Sequence, residues 1–166
     1  VKDAISRAEA ETATPTEGQK EAGNYKKGRF SAHGFDIVVE NPVGSVRSGV
    51  SKDGKPWRTE MKNTYGYFSG DVAGKDGDKL DVFLGPDVEG SGNVYVVDQV
   101  DPSTGDFDEH KVMLGFSDMQ AAREAYEANY QKGWKGLKSI TGVPLDDFRK
   151  WLESSGRKLK PFAEYA

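Results

Sequence analysis

Short strand-like segments separated by turn residues constrain the fold of this chain more than any other feature. Apolar side chains recur in residues 35–40 with the period of two of a half-buried strand. Two further segments flank Asp53-Gly54, a pair typical of hairpin turns. The predicted strands cover residues 35–40, 45–50, 56–61, 80–84, 94–97 and 109–114. Since Gly occupies 20 of 166 positions and can supply the turns, these strands predict a small antiparallel closed barrel rather than a parallel sheet.

Two helices are predicted after the strands. Ser117 and Gln120 have the spacing of a capping box, and apolar side chains then recur every three or four residues. Pro144 suits the first position of a second helix. The two apolar faces are Met119, Ala122, Tyr126 and Tyr130, and Leu145, Phe148, Trp151 and Leu152. The predicted class is therefore α+β, a β-barrel with C-terminal helices packed outside, and the aromatic residues of these faces are expected to be core.

The N-terminal part of the chain differs in composition from the rest. Residues 12–21 are small, polar and interrupted by Pro15, and such a composition cannot offset the entropy of ordering. Residues 1–11 can form a short helix with Ala4, Ile5 and Ala8 on one side. We therefore predict a tail or linker over 1–28 and a folded domain over 29–166. The chain does not begin with Met, so we expect a processed protein or part of a larger parent polypeptide.

Composition excludes several classes of protein. Cysteine is absent, which excludes disulfides, thiolate zinc sites and a cysteine nucleophile, and two His are too few for zinc alone. No run of about 18 apolar residues and no signal-peptide core is present. The net charge of −4 argues against a general nucleic-acid binder, and the basic run 26–29 is expected to be a solvated face. We expect a cytoplasmic protein without a membrane partner.

Three carboxylates lie close together in the sequence, at Asp76, Asp78 and Asp81. Asp76 and Asp78 point the same way in an extended segment, and a bend would return Asp81 to them. Crowded carboxylates repel one another unless a cation lies between them, and their oxygens suit Mg²⁺, Mn²⁺ or Ca²⁺. Asp-Gly-Asp is also an ordinary turn sequence. The offsets of a calcium EF-hand are absent.

A second acidic group makes a metal site more plausible than the triplet alone. It contains Asp101, Asp106, Asp108 and Glu109, with Lys111 next on the predicted strand. Three more charged candidates lie upstream, at Glu40, Arg47 and Arg58. We expect these carboxylates and cations to meet at the mouth of the barrel. The carboxylates can hold metal ions and the cations can bind phosphate oxygens, so the pattern predicts a site for metal-bound phosphate.

Two motifs carry a family resemblance. Tyr65-Gly66-Tyr67 followed by residues 76–82, Asp-Gly-Asp-Lys-Leu-Asp-Val, is similar to the signature of soluble (family I) inorganic pyrophosphatases. More narrowly, residues 24–152 resemble the pyrophosphatase-like domain of bacteriophage and mobile-element polyvalent proteins. The resemblance implies a five-stranded, OB-like closed barrel with external helices. It also implies Mg²⁺-dependent hydrolysis of pyrophosphate to two orthophosphates by a metal-activated water, with Mn²⁺ as a possible substitute, in a bacterial host cell.

The resemblance also implies residue roles. Asp76 and Asp81 correspond to aspartates that bind the activating metals, and Asp78 to the one that positions and deprotonates the water. Tyr65 and Tyr126 correspond to tyrosines at the substrate. The other implied roles are metal binding by Glu40, Asp101 and Asp108 or Glu109, and phosphate binding by Arg47, Arg58 and Lys111.

One ligand position stays open between two neighbours. The family places an acid two residues before a lysine, and this spacing selects Glu109 before Lys111. Residue type selects Asp108, which is preferred here but needs a β-bulge. Lys79 also replaces the proline that usually follows Asp-Gly-Asp, and the domain is smaller than typical members. These differences leave the rate and the oligomeric state open.

Two other functions remain open. The first is a non-catalytic module of a larger phage protein that binds metal, phosphate or nucleotide. The second is a barrel that binds single-stranded nucleic acid, which the acidic mouth disfavours because such grooves are basic. The true substrate is expected to be pyrophosphate or a related diphosphate.

Overall fold

The computed structural model describes residues 1–22, 24–51, 53–69, 79–154 and 160–165. Its helices are α1 (Lys2–Glu11), α2 (Glu17–Ala22), α3 (Met119–Ala128) and α4 (Leu145–Glu153), with a short 3₁₀-helix at Phe162–Glu164. Its strands are β1 (Arg29–Ala32), β2 (Phe35–Asn41), β3 (Val46–Val50), β4 (Pro56–Glu60), β5 (Tyr65–Phe68), β6 (Asp81–Leu84), β7 (Asn93–Val100), β8 (Phe107–Leu114) and β9 (Leu137–Pro144). All six predicted strands are present within a few residues of their predicted bounds.

The strands form one large open sheet and one separate hairpin. The large sheet has seven strands in the order β1-β2-β5-β6-β8-β7-β9, and β3 pairs with β4 alone. Within the described ranges, β1 and β9 are the two edges of this sheet and no ladder joins them. The prediction of an OB-like closed barrel is therefore wrong. The fold is a mixed α+β architecture with few helices.

Strand direction also differs from the prediction. β8 lies between β6 and its own hairpin partner β7, so β6 and β8 run parallel. Asp81 on β6 is thereby in register with Lys111 on β8. The sequence pattern identifies strands by period and turns, but it does not determine which strands are neighbours.

The predicted helices begin at slightly different residues. Asp118, rather than Ser117, caps α3, and its side chain accepts a hydrogen bond of 2.8 Å from the Ala121 amide. Pro144 ends β9 and precedes α4 as its cap. None of the helices in the described part of the chain is both long and apolar enough to cross a membrane.

The apolar side chains form two buried clusters, one on each side of the sheet strands. The α4 residues Phe148 and Trp151 pack into one cluster, and Ala122 and Tyr126 of α3 into the other. Helix α1, within the segment predicted as a tail, packs against β1 and β2 and buries Ala8. The predicted apolar side of this helix therefore contributes to the core, and the domain boundary at residue 28 stays a prediction.

Candidate active site

The centre of the candidate site is a buried lysine, Lys111 on β8, which is only 2% exposed. Its ammonium donates hydrogen bonds to Asp81 Oδ2 at 2.6 Å and to the Tyr65 hydroxyl at 2.8 Å. Glu109 lies two residues earlier on the same face of β8, with Oε1 2.5 Å from Lys111 Nζ. These four residues are called the Lys111 cluster below. The structure thus brings together residues from three separate motifs of the sequence.

Electrostatics keep Lys111 charged although it is buried. Burial lowers the pKa of an ammonium group, but the neighbouring Asp81 carboxylate favours the charged form. The pKa of Lys111 is raised well above its usual value as a result. The site therefore holds a permanent positive charge at its floor.

A second cation stands beside this cluster. The guanidinium of Arg47, on β3, lies 4.6 Å from the ring centroid of Tyr65 and 5.3 Å from that of Trp57. The aromatic faces hold the guanidinium plane through cation–π attraction. The β3–β4 hairpin therefore positions one of the charges that the sequence assigns to phosphate binding.

The acids at the site repel one another. The pKa of Glu40 is raised by its burial and by the Asp81 charge, with Lys27 and Arg47 opposing. Burial likewise raises the pKa of Glu109, which Lys111 opposes and Asp81 reinforces. A divalent cation would relieve this repulsion, and carboxylate oxygens are the hard donors that Mg²⁺ prefers. The donor chemistry therefore fits Mg²⁺.

Two of the predicted site acids fall outside the part of the chain that the structure describes. These are Asp76 and Asp78, and no group of three His, Cys, Asp or Glu that could hold a metal is found in the part that is described. In that part, Lys111 Nζ bridges Asp81 and Glu109.

A cleft of about 630 Å³ is lined by Glu109 and Lys111 of this cluster and also by Asp101 and Asp108. Asp101 Oδ1 accepts hydrogen bonds from the Ser103 amide at 2.9 Å and hydroxyl at 2.6 Å, which closes the hairpin turn. The β7–β8 register shifts so that Asp108 is the extra residue of a bulge. Asp108 is exposed, whereas Glu109 reaches Lys111. The bulge that the choice of Asp108 requires is present, but Glu109 is the neighbour that contacts Lys111, and the choice between the two ligands stays a prediction.

Two predicted substrate-binding residues do not join the cluster. Trp57 and Thr59 on β4 line the cleft, so the intervening Arg58 faces the opposite side of the strand and is exposed. The buried Tyr126 hydroxyl donates to Gln99 Oε1 at 2.6 Å and accepts a bond of 2.8 Å from Trp134 Nε1. Their functional roles stay predictions.

The structure adds two residues that sequence reasoning assigned elsewhere. Tyr130 packs against the core cluster that contains Tyr126, as expected, but it also lines the cleft, and its hydroxyl contributes to the raised pKa of both Lys111 and Arg47. Lys27, expected on a solvated face, is close enough to Glu40 to lower the pKa of that carboxyl. The only sequence feature that could have placed Tyr130 at the site is its helical spacing from Tyr126. This spacing is equally typical of core residues.

A cleft that combines crowded carboxylates with buried cations is typical of proteins that handle phosphate groups. Comparison with known protein families identifies one family within this class of phosphate-handling proteins. The model of the inorganic pyrophosphatase family matches residues 17–153, which is most of the chain. The chain therefore belongs to the inorganic pyrophosphatase family, as the two sequence motifs predicted. A search of curated proteins and a search of solved structures each found no match.

Proposed function

We propose that this protein hydrolyses inorganic pyrophosphate to two orthophosphates in a Mg²⁺-dependent reaction. The observation that carries the proposal is the Lys111 cluster, in which an acid, a phenol and a buried cation from separate motifs contact one another. Membership of the pyrophosphatase family supports the same reaction. A cytoplasmic location in a bacterial host and a phage-derived parent polypeptide rest on the narrower resemblance alone.

In this proposal the cations attract the substrate oxygens, and Lys111 acts through its charge because Asp81, Glu109 and Tyr65 engage its three N–H donors. Lys111 and Arg47 neutralise the phosphate charge that develops as the bridging P–O bond breaks, which is the dominant form of stabilisation in phosphoryl transfer. The Tyr65 hydroxyl accepts a bond of 2.8 Å from Lys111, so its own hydrogen can be donated to a substrate oxygen. Asp78 accepts the proton of the attacking water.

The acids would hold Mg²⁺. Asp81 and Glu109 are the described candidates nearest to Lys111, and the further proposed ligands are Asp76, Asp101, Asp108 and Glu40. Mg²⁺, when bound, neutralises substrate charge and lowers the pKa of the attacking water. Between the two neighbours on β8, we propose Glu109 as the inner ligand because its carboxylate faces Asp81 across Lys111.

The test measures orthophosphate released from pyrophosphate with Mg²⁺, with Mn²⁺ and with EDTA. We expect release only with a divalent cation. Asp78→Asn removes the proton acceptor and should lower kcat by about 100-fold or more. Asp147→Asn, the same change on the exposed face of α4, is the matched control and should leave kcat unaltered.

Three outcomes would contradict the proposal. Retained turnover in Asp78→Asn, with the fold unchanged by circular dichroism, would remove the assigned role of Asp78. Turnover in EDTA would show that the reaction does not need a divalent cation. Calorimetric binding of Mg²⁺ and pyrophosphate without any turnover would instead indicate the non-catalytic binding module.

A further inference from the structure

We infer that the site accepts a nucleoside diphosphate, whose base stacks on the aromatic residues of the cleft while its diphosphate lies at the Lys111 cluster. This inference rests on the proposed function, because it places the same phosphoanhydride cleavage on a larger substrate. Three features of the cleft support it: its volume, its aromatic lining and the position of that lining beside a cation.

The first feature is the volume of the cleft, about 630 Å³. Clefts that hold organic ligands range from about 300 to 1,000 Å³. Pyrophosphate consists of two phosphoryl groups only and fills a small part of such a space. A nucleoside attached to the diphosphate would occupy the remainder.

The second feature is the aromatic lining of the cleft, which consists of Trp57, Tyr130 and Trp134. Tyr130 and Trp134 stack with their centroids 4.9 Å apart and their planes 11° apart. Phosphate oxygens gain little from the face of an aromatic ring, whereas every nucleobase has a face that can stack on one. Because Tyr130 and Trp134 cover one face of each other, Trp57 is the ring of the lining best placed to take a base.

The rings are also fixed in place before any ligand binds. Trp134 is anchored by its hydrogen bond to Tyr126, and Gly136 packs so closely that a Cβ there would overlap its indole. Across the hairpin, a Cβ on Gly49 would lie 2.7 Å from the Trp57 ring. Rigid surfaces of this kind lower the entropic cost of binding.

The third feature is the distance between the lining and the charge. Arg47, proposed to bind a phosphate oxygen, lies 5.3 Å from the Trp57 ring centroid. A base on the aromatic lining and a diphosphate at Arg47 and Lys111 are thus neighbours, as they are in a nucleotide.

The reaction needs water as its only co-reactant. The water oxygen forms a bond to the β-phosphorus, and the bond between that phosphorus and the bridging oxygen breaks. The electron pair stays on the bridging oxygen, so the products are a nucleoside monophosphate and orthophosphate. The water proton is released to solvent.

The experiment compares kcat/KM for ADP with kcat/KM for pyrophosphate, both with Mg²⁺. Trp57→Leu removes one ring from the exposed hairpin, and we expect the ADP-to-pyrophosphate ratio to fall by about tenfold or more. Trp57→Phe keeps an aromatic face and should restore most of the ratio. A packing defect alone would lower kcat/KM for both substrates by the same factor and leave the ratio unaltered.

The outcomes separate the two proposals. Pyrophosphate cleavage without ADP cleavage overturns this inference and leaves the proposed function intact. ADP cleavage with a ratio that Trp57→Leu does not change also overturns it. Cleavage of neither substrate overturns the proposed function and the inference with it, whereas ADP cleavage with a Trp57-dependent ratio supports both the base-binding surface and the phosphoanhydride chemistry.

Discussion

The hydroxyl groups of Tyr126 and Tyr130 differ in their hydrogen bonding. The Tyr126 hydroxyl has partners in Gln99 and Trp134. The Tyr130 hydroxyl is also buried, yet it has no hydrogen-bond partner among the described residues. A buried polar atom left unpaired is costly, so such an atom beside Lys111 is well placed to bond a ligand oxygen. Tyr130 is therefore the better candidate for contact with the substrate.

The pair Tyr130→Phe and Tyr126→Phe tests this distinction. Tyr130→Phe loses no bond within the described protein, so its free energy of unfolding should stay within about 0.5 kcal/mol of the parent value, while kcat/KM for pyrophosphate falls about tenfold. Tyr126→Phe leaves Gln99 and Trp134 unpaired and should lose about 1–3 kcal/mol of stability. Urea denaturation and orthophosphate release measure the two quantities. If Tyr126→Phe lowered kcat/KM and Tyr130→Phe lowered stability instead, Tyr126 would be the residue that contacts the substrate.

Sequence reasoning identified most of the residues that meet at the site, because their motifs carry charge patterns that packing alone does not require. Lys111 contacts both Asp81 and Tyr65, so residues of three motifs meet at one point. The substrate-binding role of Arg58 stays a prediction, because the face of β4 that it occupies depends on which side of the β3–β4 hairpin covers the cleft. Tyr130 was missed because core and site residues share the same helical spacing.

At the scale of the elements, the Tyr65-Gly66-Tyr67 motif has a structural component. Gly66 on β5 is paired with Val39 on β2, and a Cβ on Gly66 would overlap the Val38 carbonyl oxygen. The backbone approach that joins these strands thus requires glycine. Because β5 also carries Tyr65, this pairing sets the position of the phenol.

Gly66→Ala should therefore separate β5 from β2. Overpacking of a buried position costs about 1–3 kcal/mol, and we expect at least this loss because the obstructing atom belongs to the backbone. Gly92→Ala is the matched control, since a Cβ there meets nothing within 4 Å. Thermal or urea denaturation measures both variants. Equal stability of the two would show that the strands can relax at no cost.

Strand prediction missed β1, β5 and β9, and the reasons are clearest for the last two. Every residue of β5 is buried, so its pattern has no alternation, and β9 carries small and polar residues that do not resemble a core strand. Both strands owe their conformation to pairing with neighbours. That pairing is long-range and leaves no local signal.

At the scale of the whole molecule, the described strands form an open sheet because β9 lies at one of its edges. Its residues pair with β7 from Asn93↔Pro144 to Gln99↔Leu137, so β9 extends the sheet at the edge opposite β1. The chain then returns through α4, which packs on the sheet. A short carboxyl-terminal segment completes this side of the core with Phe162.

One buried carboxylate holds that segment. Asp98 on β7 is 1% exposed and accepts hydrogen bonds from the amides of Phe162 at 2.6 Å and Ala163 at 3.0 Å. It also accepts a bond of 2.8 Å from the Ser139 hydroxyl on β9, and its Oδ1 lies 3.8 Å from His110 Nε2. A single side chain therefore ties the sheet, its edge strand and the terminal segment together.

Asp98→Asn tests this tie. The amide NH₂ replaces one acceptor oxygen and confronts backbone donors, so stability should fall by about 2–3 kcal/mol and hydrogen exchange at the Phe162 amide should accelerate. Ser139→Ala removes one bond and leaves both backbone bonds, so it should lose about 1 kcal/mol without faster exchange at Phe162. If exchange at Phe162 were unaltered in Asp98→Asn, the apolar contacts of its ring alone would hold the segment. Because Asp98 lies on the strand that pairs with β8, a loss of pyrophosphate turnover in Asp98→Asn but not in Ser139→Ala would extend its influence to the Lys111 cluster.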